Sequence, residues 1–208
     1  ENNIGVKRMM DILAKYAPCA GDFEEVAGTK PGSDDEVVHG PSVDDPLAAR
    51  VFKTISEEHI GEMSFFRVYS GKVNAGDDLR NTTRNNSEKM RQIYFMNGNK
   101  RKDAAQLIAG DIGAALKLKN THTGDTLSSP KSPILLPEIK YPTSNMSFAI
   151  KPKARGDEEK IANGLAVMHE VDPTFFYRVD PELKQTIISG QGELHLDIAL
   201  KQISERFH

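Results

Sequence analysis

Val6, Met9, Met10, Leu13 and Ala17 recur at the three-and-four spacing of one helix face, and Pro18 stops the run. This predicts a short amphipathic helix at the start of the chain. Its stripe needs a surface to cover, either a preceding domain of which it is the last helix or the fold that follows. From Cys19 to Asp45 no periodicity lasts, and Gly, Pro, Ser and Asp dominate, as in the run from Lys30 to Glu36. That composition predicts a linker or long loop, so residues 1–45 read as a helix plus linker.

From residue 46 to 130 the pattern changes to short β-branched and aromatic runs: Arg50–Ile55, Met63–Tyr69, Arg91–Met96 and Ile112–Leu118. Turn signals separate them at Ser70-Gly71, Ala75-Gly76-Asp77, Asn97-Gly98-Asn99 and Ala109-Gly110-Asp111. Many short, evenly spaced strands predict a β-barrel or a sandwich, and the barrel is favoured because closure removes exposed strand edges. Val51, Phe52, Phe66, Val68, Ile93, Phe95, Ile112, Ala114 and Leu116 are its expected core.

Pro130, Pro133, Pro137 and Pro142 crowd the stretch from Ser129 to Thr143, so residues 131–143 read as a stiff second linker. In residues 144–208 the pattern alternates. Met146–Ile150 predicts a strand, Asp157 can cap a helix with Ile161, Leu165 and Met168 on one face, and Asp172-Pro173 ends that helix. Phe175–Val179 and Gln185–Ser189 predict two strands joined by the turn from Asp180 to Lys184. A last helix carries Leu196, Ala199, Leu200, Ile203 and Phe207. The order β-α-β-β-α lacks one strand of a split β-α-β, or ferredoxin-like, domain, so this domain reads as truncated, with the edge of its first strand open.

Composition narrows the classes. The 208 residues are 38% hydrophobic and 27% charged with a net charge of -3, which excludes a disordered acidic tail and a polycation and predicts no nucleic-acid partner by itself. A single cysteine, Cys19, excludes an internal disulfide and the usual Cys/His zinc clusters and fits a reducing compartment. No apolar run is long enough for a membrane span and no secretion signal opens the chain, so a soluble cytoplasmic protein with no membrane partner is expected.

No catalytic constellation emerges. Ser70-Gly71-Lys72-Val73 lacks both the earlier glycine and the hydroxyl of a phosphate-binding loop and reads as a hairpin turn. Asn99-Lys100-Arg101-Lys102-Asp103 has one residue too many for a guanine-reading Asn-Lys-x-Asp. Glu193 and Asp197 share a helix face while His195 points elsewhere, so a solvated face is preferred to a metal site. No catalytic, cofactor-binding or metal-ligating residue is therefore expected in this chain.

Charge placement says more than the total. Lys72, Arg80, Arg84, Lys89, Arg91, Lys100, Arg101 and Lys102 face only Asp77, Asp78 and Glu88 between residues 72 and 102. On a barrel this surplus can meet phosphates, or it is simply the wet face of alternating strands. In Ser189-Gly190-Gln191-Gly192-Glu193, two glycines between a strand and a helix start allow close approach of another surface, or only make a tight turn.

The runs Phe65–Gly71, Ala109–Ile112 with Thr123–Leu127, Glu170–Phe175 and Gln185–Leu196 resemble bacterial elongation factor G, in the order and spacing of its second and third domains. Gly5 to Pro18 resembles the closing helix of its nucleotide domain. Ribosomal protection proteins and peptide release factor 3 share the barrel. The resemblance implies a multi-domain α+β chain, a translation-factor β-barrel followed by a truncated ferredoxin-like domain, excised from a GTPase that promotes translocation of transfer RNA and messenger RNA. GTP and Mg2+ would belong to the parent, not to this piece. The implied partners are the ribosome, through its RNA and a small-subunit protein, and the parent's own nucleotide and later domains. The eight basic residues would face ribosomal RNA, and Ser189, Gly190, Gln191, Gly192, Glu193 and His195 would touch the nucleotide domain or the small subunit. Gln191 replaces the family's methionine, Asp197 its glutamate, and the segment around Cys19 is atypical, which suggests a diverged paralogue. A free-standing RNA- or protein-interaction module is the alternative of a different class.

Overall fold

The structure, a computed structural model, describes residues 3–57, 61–152, 156–182 and 185–207. The first helix, α1 (Val6–Tyr16), forms where the apolar spacing predicts it, and no residue in it is buried. Val6, Met9, Met10 and Leu13 are all exposed, so its stripe does not pack back onto the described fold.

The segment expected as a linker is ordered. A 3-10 turn at Ala20–Asp22 leads into an antiparallel hairpin, β1 (Val26–Thr29) and β2 (Glu36–His39). The polar Lys30–Asp35 run is its turn, closed by Lys30 N–H donating to Asp35 O at 2.8 Å. Strands of four residues are too short to set up a readable period, but Val26 and Val37 pack on Ile134, Leu136 and Ala48. The first half of the proline-rich stretch is likewise bound rather than free. Thr29 and Leu135 exchange backbone hydrogen bonds at 2.9 and 2.8 Å, and a Cβ on Gly28 would lie 2.5 Å from Leu135 O, so glycine lets this strap cross the hairpin closely.

Ten strands follow: β3 (Ala48–Glu57), β4 (Gly61–Ser70), β5 (Lys72–Asn74), β6 (Asp78–Asn81), β7 (Asn86–Lys89), β8 (Ile93–Asn97), β9 (Lys100–Ala104), β10 (Gln106–Ile108), β11 (Ile112–Leu116) and β12 (Thr126–Ser128). Eight form one antiparallel sheet in the order β7-β6-β12-β3-β4-β11-β8-β9, and β5 pairs with β10. Val51, Phe66, Val68, Val73, Leu79, Ile93, Leu107, Ala115 and Leu127 meet in one core, so the sheet is curled into a β-barrel. Ser70-Gly71-Lys72 is a corner between β4 and β5, not a hairpin, because β5 pairs elsewhere.

Three expected core residues face water. Phe52 is the extra residue of a bulge, since Val51 opposes Phe66 and Lys53 opposes Phe65. Phe95 lies beyond the point where β8 leaves β11: only Ile93 and Tyr94 pair there, and from Phe95 onward β8 is held by β9 alone. Ile112 is 52% exposed at the start of β11, whereas Ala114 is fully buried as expected, with Gly113 and Ala115 buried on either side of it and Leu116 half-buried.

The last unit runs β13 (Met146–Ile150), α2 (Glu158–Val171), β14 (Phe176–Asp180), β15 (Gln185–Gly190) and α3 (Glu193–Phe207). Its sheet order is β13-β15-β14, all antiparallel, the three-strand part of a ferredoxin-like α+β layer. Leu165, Phe175, Ile188, Leu196 and Ala199 form the core between sheet and helices. β13 pairs only with β15 among the described residues. Asp157 precedes α2 without a side-chain capping bond, contrary to its expected role. Leu183 and Lys184 of the expected turn, and the Phe207 side chain, lie outside the described residues.

Candidate functional site

The eight basic residues are spread over several elements: Lys72 on β5, Arg80 on β6, Arg84 in the turn after it, Lys89 on β7, Arg91 between β7 and β8, and Lys100, Arg101 and Lys102 on β9. On the β6–β7 side the charge is mostly answered: Arg84 Nε donates to the buried Asp125 carboxylate at 2.8 Å, Arg80 donates to Asn85 Oδ1 at 2.6 Å, and Lys89 lies 3.7 Å from Asp78. Glu88, a counter-charge in the local tally, is buried and accepts from Lys119 N, Asn120 N and Thr121 Oγ1 at 2.7–3.1 Å. It pins a loop instead of facing a lysine. The surplus that remains outward is Lys72 on β5, Arg91 between β7 and β8, and Lys100, Arg101 and Lys102 in succession on β9. These three sit on the hairpin that projects past the barrel, with Arg101 5.7 Å from the Tyr94 ring.

Gly71 and Lys72 give no phosphate cradle. Gly71 N–H already donates to Ser42 O at 2.9 Å, and a Cβ there would sit 2.5 Å from Asp45 O at a φ of +70°. The backbone at Gly71 and Lys72 is thus committed to the fold and offers no cradle for the phosphates of GTP.

The Ser189–His195 turn is more highly built than its glycines suggest. β15 ends at Gly190 and α3 starts at Glu193. Gln191 N–H donates to His195 Nδ1 at 3.0 Å, which places the imidazole proton on Nε2, 2.8 Å from Asp172 Oδ2. The other Asp172 oxygen accepts from Thr174 N and Oγ1 at 2.8 and 2.7 Å. Burial pushes the Asp172 carboxyl up, but the Thr174 and His195 hydrogen bonds outweigh it and hold the group below its ordinary value of 3.8. Gln191 Nε2 donates to the Pro142 and Thr143 carbonyls at 3.3 and 3.1 Å, tying the turn to the segment that enters the domain. His195 is thus half-buried and bonded on both ring nitrogens, not on a solvated face.

The two glycines of this turn differ. A Cβ on Gly190 would fall 2.7 Å from His195 Nδ1 and 2.8 Å from Leu196 Cδ2, so internal packing demands glycine. A Cβ on Gly192 would meet nothing within 4 Å, and its φ is not left-handed. Nothing inside the described chain requires glycine at 192.

Sequence reasoning missed the contact between the two domains. Arg206, on the last turn of α3, donates to Ser56 O and Oγ on β3, both at 2.7 Å. His122 Nδ1 meets Glu170 Oε2, and Thr123 Oγ1 lies 3.4 Å from Glu170 O. A cavity of about 260 Å³ beside them is lined by Ile55, Met168 and Ile203 among others. A polar Arg at the end of an apolar helix face is the one signal that pointed here.

Residues 46–130 match the family described as elongation factor G domain 2, and residues 141–208 match that described as elongation factor G, domain III. A crystal structure of a protein from Thermus thermophilus superposes with a TM-score of 0.78 at 22% identity, over 97% of this chain and 28% of that one. The chain therefore spans less than a third of that protein.

Proposed function

Because the chain belongs to the elongation factor G family through its second and third domains, we propose that it is the ribosome-docking middle of a translational GTPase that promotes GTP-dependent movement of transfer RNA and messenger RNA. The observation that carries this reading is the succession of the two family domains, tied by Arg206–Ser56 and His122–Glu170 into a connected pair. GTP and Mg2+ are then held by a nucleotide domain outside these residues, and the uncovered stripe of α1 is the surface that domain covers. Lys100, Arg101, Lys102 and Arg91 meet ribosomal RNA phosphates, and the Ser189–His195 turn abuts the nucleotide domain or a small-subunit protein. The work is done in the cytoplasm, where ribosomes are.

The test is ribosome-stimulated GTP hydrolysis and single-codon movement by the full-length protein, beside calorimetric titration of the 208-residue chain with GTP and Mg2+. The expected result is turnover that depends on ribosomes in the first and no heat of binding in the second. Hydrolysis indifferent to ribosomes, or micromolar GTP affinity of the chain, contradicts the reading. Neutralising Lys100, Arg101 and Lys102 together should also flatten the salt dependence of ribosome binding by about one unit of slope per lost phosphate contact.

A further inference from the structure

On the outer surface of the barrel, Arg50 of β3 and Arg67 of β4 stand directly opposite each other as a cross-strand pair. Like charges in that position repel. Arg50 is only 9% exposed, yet the Nε atoms of both residues are buried without a hydrogen-bond partner. Neither guanidinium has an ion pair among the described residues. Burial pulls the Arg50 guanidinium below its ordinary value. An unpaired buried cation such as Arg50 is costly, and the half-buried Arg67 beside it adds repulsion unless an anion answers them.

Both arginines line a cavity of about 350 Å³. Its lining includes Phe23 and Val26 at the entry to the hairpin, Leu136 of the strap and Tyr69 of β4. Arg67 lies 5.4 Å over the Tyr69 ring, so its plane is already oriented. The single carboxylate in the lining, Glu25, is exposed and bridges neither arginine. The volume is at the lower end of the roughly 300–1,000 Å³ of small-molecule sites, and the walls are largely apolar.

We propose that this cavity binds a small organic anion, one with a single phosphate or carboxylate head held between Arg50 and Arg67 and a compact apolar body against Phe23, Val26 and Leu136. Paired guanidiniums suit either head, because both present oxygens in the planar fork that guanidinium N–H groups match. This site is separate from the GTP and ribosome contacts proposed above and does not depend on them.

The test is thermal unfolding of the 208-residue chain with AMP, N-acetyl-phenylalanine, inorganic phosphate or sodium chloride at equal ionic strength. A saturable rise in Tm with AMP alone assigns a phosphate head, with N-acetyl-phenylalanine alone a carboxylate head, and either supports the site. Arg50→Leu should weaken the response at least about tenfold in apparent Kd, while its Tm without ligand is equal to or above that of the parent because the like-charge pair is gone. Should Arg50→Leu fail to fold, Arg67→Gln makes the same comparison. The proposal is overturned if neither organic anion exceeds chloride, if inorganic phosphate does as well as both, or if the variant responds like the parent.

Discussion

In the barrel every strand from β3 to β12 except β7 sends a side chain into one core, from Val51 and Phe66 to Leu107 and Leu127. Among the described residues of the α+β domain five buried hydrophobic side chains form the core, and the strands leave Phe148, Phe176, Tyr177 and Val179 more than a third exposed. The barrel also buries its polar links: Asp125 Oδ2 takes hydrogen bonds from Asn81, Arg84 and His122 N at 2.8–2.9 Å. The second domain sets its polar network at its rim, where Asp172, His195 and Gln191 clamp a strand-to-helix turn. The difference teaches where each domain is specified. The barrel is held by its interior, whereas the smaller domain relies on a clamped turn and keeps apolar surface available to neighbours.

Breaking the barrel's interior should have the largest effect. Phe66→Ala removes a fully buried ring and should lower unfolding free energy by about 3–5 kcal/mol in chemical denaturation. A loss under about 1 kcal/mol would show that the face is misassigned. Asp125→Ala strands three donors, two of them on buried or half-buried groups, and should cost about 1–3 kcal/mol by the same measurement.

The clamp of the smaller domain should break at similar or lower cost. Gly190→Ala drives a methyl group into His195 and Leu196 and should destabilise by about 1–3 kcal/mol. Acid sharpens the same point. The folded pKa of Asp172 lies below its unfolded value, so its stabilisation is present above the ordinary carboxylate value and is lost as the pH falls through the lowered folded one. Asp172→Asn should therefore show a smaller loss of Tm than the parent between pH 5 and the acid limit of folding. An identical acid slope would remove Asp172 from the account.

Much of this architecture was legible in the residues. Val51, Phe66, Val68 and Ile93 alternate as barrel strands must, and Ile161, Leu165 and Met168 keep the helical spacing that α2 uses. What escaped depends on partners distant in sequence. The β1–β2 hairpin has no period of its own and exists because Ile134 and Leu136 return to cover Val26 and Val37. Phe52 misleads because a bulge reverses the alternation at one residue, and bulges leave no mark in a single sequence. Of the candidate site, the turn from Ser189 to His195 was visible through its paired glycines, but their unequal roles were not. Only the positions of the His195 and Leu196 side chains distinguish Gly190 from Gly192. The eight basic residues looked like one surplus because a charge tally hides partners distant in sequence, such as Asp125 for Arg84, and the burial of Glu88.

The central claim is that the clamped turn presents Gly192 to a partner rather than to the fold. Gly192→Val in the full-length protein, followed by its melting curve and its ribosome-stimulated GTP turnover, tests it most directly. With open space around the new side chain, the variant should lose no more than about 1 kcal/mol of stability, the scale of a poorer helix N-cap, while turnover falls at least about tenfold, the loss of roughly 1.4 kcal/mol of interaction with the partner. Unchanged turnover, or a melting loss large enough to account for the lost activity, would contradict it.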